Sequence, residues 1–128
     1  MEFKGLYVAL VTPFNKKDGS LNEAKLRELV QFHIKAGTDG LVPCATTSEN
    51  PTYTWEEHFR IIEIAVEEAK GKIKICAGCG TNATAKSVDN VKKARELGAD
   101  AAMVVTPYYN KPTPEGLYAH FTKIADEG

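Results

Sequence analysis

Four times along the chain a short, almost wholly apolar run is followed by a longer stretch whose apolar side chains recur at helical spacing. The runs are Tyr7 to Thr12, Gly40 to Cys44, Ile73 to Ala77 and Ala101 to Thr106. Strands that are apolar throughout, rather than alternating with polar residues, are those buried on both faces, which is the condition of a parallel sheet covered by helices. Each strand-helix-strand crossover in such a sheet is right-handed. Two echoes support a repeated unit of about thirty residues. Ala36-Gly37-Thr38-Asp39-Gly40 resembles Leu97-Gly98-Ala99-Asp100-Ala101 at helix-to-strand junctions, and Val11-Thr12-Pro13-Phe14 resembles Val105-Thr106-Pro107-Tyr108 at strand ends. No linker or composition break separates the units, so residues 1–128 read as one domain. The pattern leaves an open doubly wound sheet or a closed barrel. A complete eightfold barrel needs roughly 200 residues or more, so 128 residues can supply four of its eight units.

Local signals set the expected helix boundaries. Ser20 with Glu23, and Thr54 with Glu57, have the spacing of capping boxes, and Thr113-Pro114 opens the last helix. Gly37 and Gly98 stop the first and third helices. The predicted core faces are Leu26, Leu29, Val30 and Ile34, then Phe59, Ile62 and Val66, then Val88, Val91 and Ala94, and finally Leu117, Phe121 and Ile124. Side chains drawn from Val8, Leu10, Leu41, Ile73, Ile75, Met103 and Val105 are expected to line a concave face that a half-barrel leaves uncovered. Uncovered apolar side chains and open strand edges predict a homo-oligomer, a dimer or tetramer.

Charge identifies no partner. The 16 basic and 17 acidic residues are dispersed, without the basic patch that nucleic acid or an anionic membrane requires. The start, Met1-Glu2-Phe3-Lys4-Gly5, lacks a basic-then-apolar leader and no apolar run approaches membrane-spanning length, so a cytoplasmic protein is expected. Cys44, Cys76 and Cys79 are an odd number, which argues against a disulfide framework. Cys76 and Cys79 are three apart in an apolar strand and are expected to face opposite ways, so neither a metal nor a redox pair is predicted. Gly78-Cys79-Gly80 lacks the third glycine of a dinucleotide fingerprint and no P-loop occurs, so no cofactor is expected.

Functional groups of parallel α/β folds gather at the carboxyl ends of the strands. The loop after the second run, Ala45-Thr46-Thr47-Ser48-Glu49-Asn50, collects hydroxyls and amides able to hold a carboxylate, and equally reads as a polar loop leading into a helix. The loop after the fourth, Thr106-Pro107-Tyr108-Tyr109-Asn110-Lys111-Pro112, sets two tyrosines side by side. A phenol there could relay a proton, pack across a subunit interface, or simply cover an apolar barrel end.

These loops, with Val8-Ala9-Leu10-Val11-Thr12-Pro13-Phe14, Phe32-His33 through Gly40-Leu41-Val42, and Thr113 with Glu115-Gly116-Leu117-Tyr118, resemble the dihydrodipicolinate synthase family along the whole chain. The run from Val104 to Thr113 resembles it more than its relatives N-acetylneuraminate lyase and the keto-deoxy-gluconate aldolases. The resemblance implies the amino-terminal (βα)4 half of a (βα)8 barrel. It also implies a lyase of lysine biosynthesis in which a lysine forms a Schiff base with pyruvate and the enamine attacks aspartate semialdehyde. By position, Thr46 and Thr47 match the threonine pair, of which the second helps hold the pyruvate carboxylate and joins a proton relay. Tyr109 matches the relay tyrosine contributed across a tight dimer interface, and Tyr108 its interface neighbour. His58, Asn82 and Tyr108 match a feedback-lysine site found in some members. Three departures stand out. Ala45 and Ser48 replace glycines of the usual Gly-Thr-Thr-Gly-Glu, at a cost of ~1 kcal/mol or more if either needs positive φ. Lys86 stands where a carboxylate would meet the inhibitor's amine. The Schiff-base lysine, the second relay tyrosine and the substrate-binding arginine are all expected beyond residue 128, while Lys72, Lys74 and Lys111 read as solvated surface lysines. Three readings follow from this: a synthase-type chain inactive alone, one part of a split aldolase completed by a second-half polypeptide, or a self-assembling half-barrel with a structural role.

Overall fold

The computed structural model describes residues 3–128; Met1 and Glu2, where the amino-terminal reading begins, lie outside them. Four strands, β1 (Tyr7–Ala9), β2 (Gly40–Val42), β3 (Lys74–Gly78) and β4 (Ala101–Met103), alternate with α1 (Glu23–Lys35), α2 (Trp55–Ala69), α3 (Thr84–Glu96) and α4 (Pro114–Glu127). The strands pair in parallel in the order β1-β2-β3-β4. Each strand except β3 ends earlier than its apolar run. Hydrogen bonding continues a little past the strands: the Leu10 amide donates to the Val42 carbonyl at 3.0 Å, and the Cys79 and Gly80 amides converge on the Met103 carbonyl at 2.9 and 3.3 Å.

The core lies between the sheet and its helices. Leu10, Leu41 and Ile75 pack with Leu26 and Val30 of α1 and with Ile61, Ile62, Ile64 and Ala65 of α2, all essentially inaccessible to water. This corrects the expected concave face. Leu10, Leu41, Ile73 and Ile75 are buried toward the helices and Val8 packs against the same cluster, whereas Met103 and Val105 stay exposed at 39% and 37%. The register explains the split. Val8 pairs with Leu41 and Leu41 with Ile75, so these share one face, while Gly78 pairs with Met103 on the other. The concave face is therefore drawn from Ala9, Val42, Cys76, Ala101 and Met103 with Val11, a smaller apolar surface than the sequence implies.

The capping box of α2 forms as predicted: the Glu57 amide donates to Thr54 Oγ1 at 3.2 Å and the Thr54 amide to Glu57 Oε2 at 2.9 Å. Thr113 caps α4, accepting from the Gly116 amide at 3.2 Å. The first box does not form. Asn22 is the cap of α1, accepting from the Lys25 amide at 3.0 Å, and Ser20 is held in a turn by Asp18. Glu23 is thereby free to pair with Arg60 through two hydrogen bonds of 2.8 and 2.7 Å, and Arg27 reaches Glu68 and Glu67, so charge joins α1 to α2 along their solvent edge. Among the described residues no helix is long and apolar enough to cross a membrane.

Candidate functional site

Two missing side chains bring the carboxyl ends of three strands together. A Cβ on Gly78 would lie 2.1 Å from the Cys44 carbonyl oxygen, and one on Gly80 would lie 2.4 Å from the Val105 amide nitrogen, so these glycines let the loop after β2 and the segment after β4 close over the end of β3. The Gly78 amide fixes the first contact by donating to the Pro43 carbonyl at 2.9 Å. In the sequence, Gly78-Cys79-Gly80 reads only as an incomplete nucleotide motif. Two glycines flanking one residue at a strand end are the available signal of close backbone approach.

Beyond Cys44 the chain makes a 3-10 turn at Thr46–Ser48, then another at Asn50–Thr52. The left-handed residues are Cys44 (φ 59°) and Glu49 (φ 62°), while Ala45 sits at φ −87° and Ser48 is not left-handed. The φ penalty considered for Ala45 and Ser48 therefore does not arise. Ser48 is buried. Its hydroxyl donates to the Ala45 carbonyl at 2.5 Å and lies 3.0 Å from the Tyr53 hydroxyl. Thr46 and Thr47 are exposed, and their amides and hydroxyls make no hydrogen bond among the described residues; the Thr46 carbonyl accepts from Glu49.

A cavity of about 410 Å³ opens beside this turn, with Thr46 and Asn50 on one wall, Met103, Val105 and Tyr108 on the other, and the Gly78 and Gly80 backbones between. The structure thus brings Thr46 and Tyr108 to one cavity. Tyr109 is elsewhere: left-handed at φ 70° and 94% exposed, it projects away from the chain. The loop after β4 is tied to the loop after β3 by Asn110 Nδ2, which donates to the Asn82 carbonyl at 2.9 Å.

His58 lies beneath the site, 2% exposed, with its ring centroid 4.8 Å from Trp55, 5.4 Å from Phe59 and 6.1 Å from Tyr53. Its Nε2 has no hydrogen-bond partner among the described residues. Burial pushes its pKa down to about 4, with the backbone near Gly78 opposing the shift. Lys86 Nζ stands 4.6 Å over the Trp55 ring. Lys74 is not a freely solvated lysine. It pairs with Asp100 at 2.8 Å, which raises its pKa, and it sits at the amino end of β3, away from the cavity. The three cysteines are free; burial pushes the Cys44 and Cys79 thiols up to about 12, so neither is a ready thiolate at neutral pH.

The depressed His58 pKa has a defined consequence. Below its ordinary value of 6.5 the unfolded imidazole takes up a proton that the folded one refuses until about pH 4. Stability is therefore expected to fall across that window, by about 2 kcal/mol between pH 7 and pH 5. Urea unfolding at the two pH values should show that loss in the native chain and a smaller one in His58→Phe; equal losses would exclude His58 as the source.

A four-stranded parallel sheet in the order β1-β2-β3-β4, covered by its crossover helices, has the form of the amino-terminal half of a (βα)8 barrel, with hydroxyls and an apolar cavity at the carboxyl ends of its strands. Residues 2–128 match the Dihydrodipicolinate synthetase family, and the chain belongs to it. It is 53% identical over 124 residues to the 4-hydroxy-tetrahydrodipicolinate synthase of Geotalea uraniireducens (strain Rf4), a match covering 97% of this chain and 42% of that protein. Among solved structures, dihydrodipicolinate synthase from Aquifex aeolicus superposes with a TM-score of 0.94 at 51% identity, over 98% of this chain and 42% of that one. The 4-hydroxy-tetrahydrodipicolinate synthase from Methylacidiphilum fumariolicum SolV gives 0.95 at 38% identity, over 99% and 42%. The chain thus spans about 42% of the length of these relatives.

Proposed function

We propose that this chain carries the carboxylate-holding and tyrosine-bearing half of a pyruvate-condensing aldolase site of the dihydrodipicolinate synthase kind, in a cytoplasmic enzyme of lysine biosynthesis. The observation that carries this reading is the pair of consecutive threonines whose amides and hydroxyls are unbonded beside a cavity that Thr46 and Tyr108 share. Unbonded donors of Thr46 on the wall of a largely apolar cleft, with those of Thr47 next in the chain, suit a small carboxylate such as pyruvate. Thr46 and Thr47 hold that carboxylate, and the Thr47 hydroxyl passes a proton to a tyrosine. Tyr109 serves a second copy of the chain across a dimer interface, a role supported by its 94% exposure and strained backbone. The Schiff-base lysine comes from outside these residues, on the rest of a full-length chain or on a second-half polypeptide.

A structural reading, in which the half-barrel only folds and self-assembles as a dimer or tetramer, is favoured by one observation, the exposure of Val11, Met103 and Val105 on the concave face. At a feedback site drawn from His58, Asn82 and Tyr108, the buried His58 and the cationic Lys86 both disfavour a lysine ligand. The test is a titration of isotope-labelled chain followed by amide resonances. Pyruvate is expected to shift Thr46 and Thr47 saturably, an effect lost in Thr47→Val, while L-lysine below millimolar concentration moves neither Asn82 nor Tyr108. Shifts scattered over the surface and unchanged in Thr47→Val would favour the structural reading.

A further inference from the structure

Ser48 and Tyr53 lie outside the threonine pair, yet their hydroxyls form a directed chain. Ser48 has one hydroxyl proton, and the Ala45 carbonyl, 2.5 Å away, can only accept it. The remaining contact, 3.0 Å to the Tyr53 hydroxyl, must then be donated by tyrosine. The order of donation is thus Tyr53 to Ser48 to Ala45. The same Ala45 carbonyl accepts from the Ser48 amide at 3.1 Å, so both of its lone pairs are engaged by one residue. Thr46 and Thr47 are the two residues spanned by that clasp, and their amides and hydroxyls make no hydrogen bond among the described residues.

Tyr53 anchors the far end of the chain. Its ring lies 6.0 Å from Phe14 and 6.1 Å from His58, within the hydrophobic cluster at the top of α2. Burial keeps its phenol protonated, so it remains a donor throughout the working pH range. Ser48 itself is 1% exposed and cannot meet substrate.

We infer that Ser48 and Tyr53 are positioning residues, a hydroxyl clasp that fixes the Thr46–Thr47 turn in the one conformation where both threonines direct unbonded donors at a bound carboxylate. The inference rests on the proposed carboxylate site for its purpose, but not for its geometry. Ser48→Ala and Tyr53→Phe each remove a single hydroxyl while keeping the packing, and Tyr53→Phe leaves Ser48 still bonded to Ala45, so at least that variant should fold.

The experiment measures the amide relaxation of Thr46 and Thr47 and the pyruvate dissociation constant in the native chain, both variants and the double variant. Either single change is expected to introduce exchange broadening at Thr46 and Thr47 but not along α2, and to weaken pyruvate binding about three- to tenfold. The double variant is expected to lose little more than a single one, because one chain of bonds is broken in each case. Unaltered Thr46 and Thr47 relaxation in both single variants would overturn the clasp whether or not pyruvate binds. So would additive losses, which mark two independent packing effects. A native chain that binds no pyruvate, with the broadening still present in the variants, would instead sink the carboxylate reading and leave the clasp standing.

Discussion

Treated with pyruvate and borohydride, the 128-residue chain on its own is expected to gain no adduct mass and to turn over no aspartate semialdehyde. Imine formation needs an amine that can be neutral and that reaches the bound carbonyl. Lys74 is paired with Asp100 and pushed further toward its charged form at the wrong end of β3, and Lys86 is held over Trp55. No lysine lines the cavity beside Thr46. Under the proposed function a chain with no reachable amine has no covalent pathway, so the expected difference from a full-length relative is the whole catalysed rate. Mass spectrometry after trapping reads this directly, and a single adduct mapped to one lysine of this chain would contradict it.

The largest structural effect is expected at Gly78. Its missing Cβ faces the Cys44 carbonyl oxygen at 2.1 Å, the carbonyl carbon at 2.5 Å and the Ala45 amide nitrogen at 2.9 Å, all of them main-chain atoms that cannot swing aside as a side chain would. Gly78→Ala must push the β2 and β3 ends apart, breaking the hydrogen bond from the Gly78 amide to Pro43 and displacing the start of the threonine turn. A loss of about 3 kcal/mol or more is expected, enough to leave a single domain largely unfolded or molten. Gly71→Ala is the control for backbone strain alone, since Gly71 is left-handed at φ +72° and an added Cβ there would meet nothing within 4 Å. Its loss should be about 1 kcal/mol. Chemical unfolding compares the two, and similar losses would show that the β2–β3 contact yields more readily than its geometry implies.

The four-unit plan is legible in the sequence because uniformly apolar strands separated by amphipathic helices have few other solutions, and Thr54 with Glu57 and Thr113 with Pro114 mark two helix starts correctly. The start of α1 is misleading because Ser20-x-x-Glu23 satisfies the capping-box spacing. Asn22 is an equally good cap, and a distant partner, Arg60, competes for Glu23. The concave face is hidden for a related reason. Runs as apolar as Tyr7 to Val11 and Gly40 to Cys44 carry no alternation from which to read the inward side, and the pairing of Val8 with Leu41 and of Leu41 with Ile75 reveals it. At the candidate site the hydroxyls of Thr46 and Thr47 can be named from sequence, whereas the contacts of Ser48 with Tyr53 and of Gly78 with Cys44 join residues whose proximity depends on the turn and the sheet.

In the proposed function this half-barrel holds the substrate while another four units supply the lysine. Mixing the chain with the carboxyl-terminal four-unit half of the Aquifex aeolicus enzyme, 51% identical over the shared region, tests it most directly. The predicted result is borohydride-trapped pyruvate and synthase turnover that appear only in the mixture and disappear when this chain carries Thr47→Val. A stable one-to-one assembly that traps no pyruvate, or one whose turnover is indifferent to Thr47→Val, would contradict it.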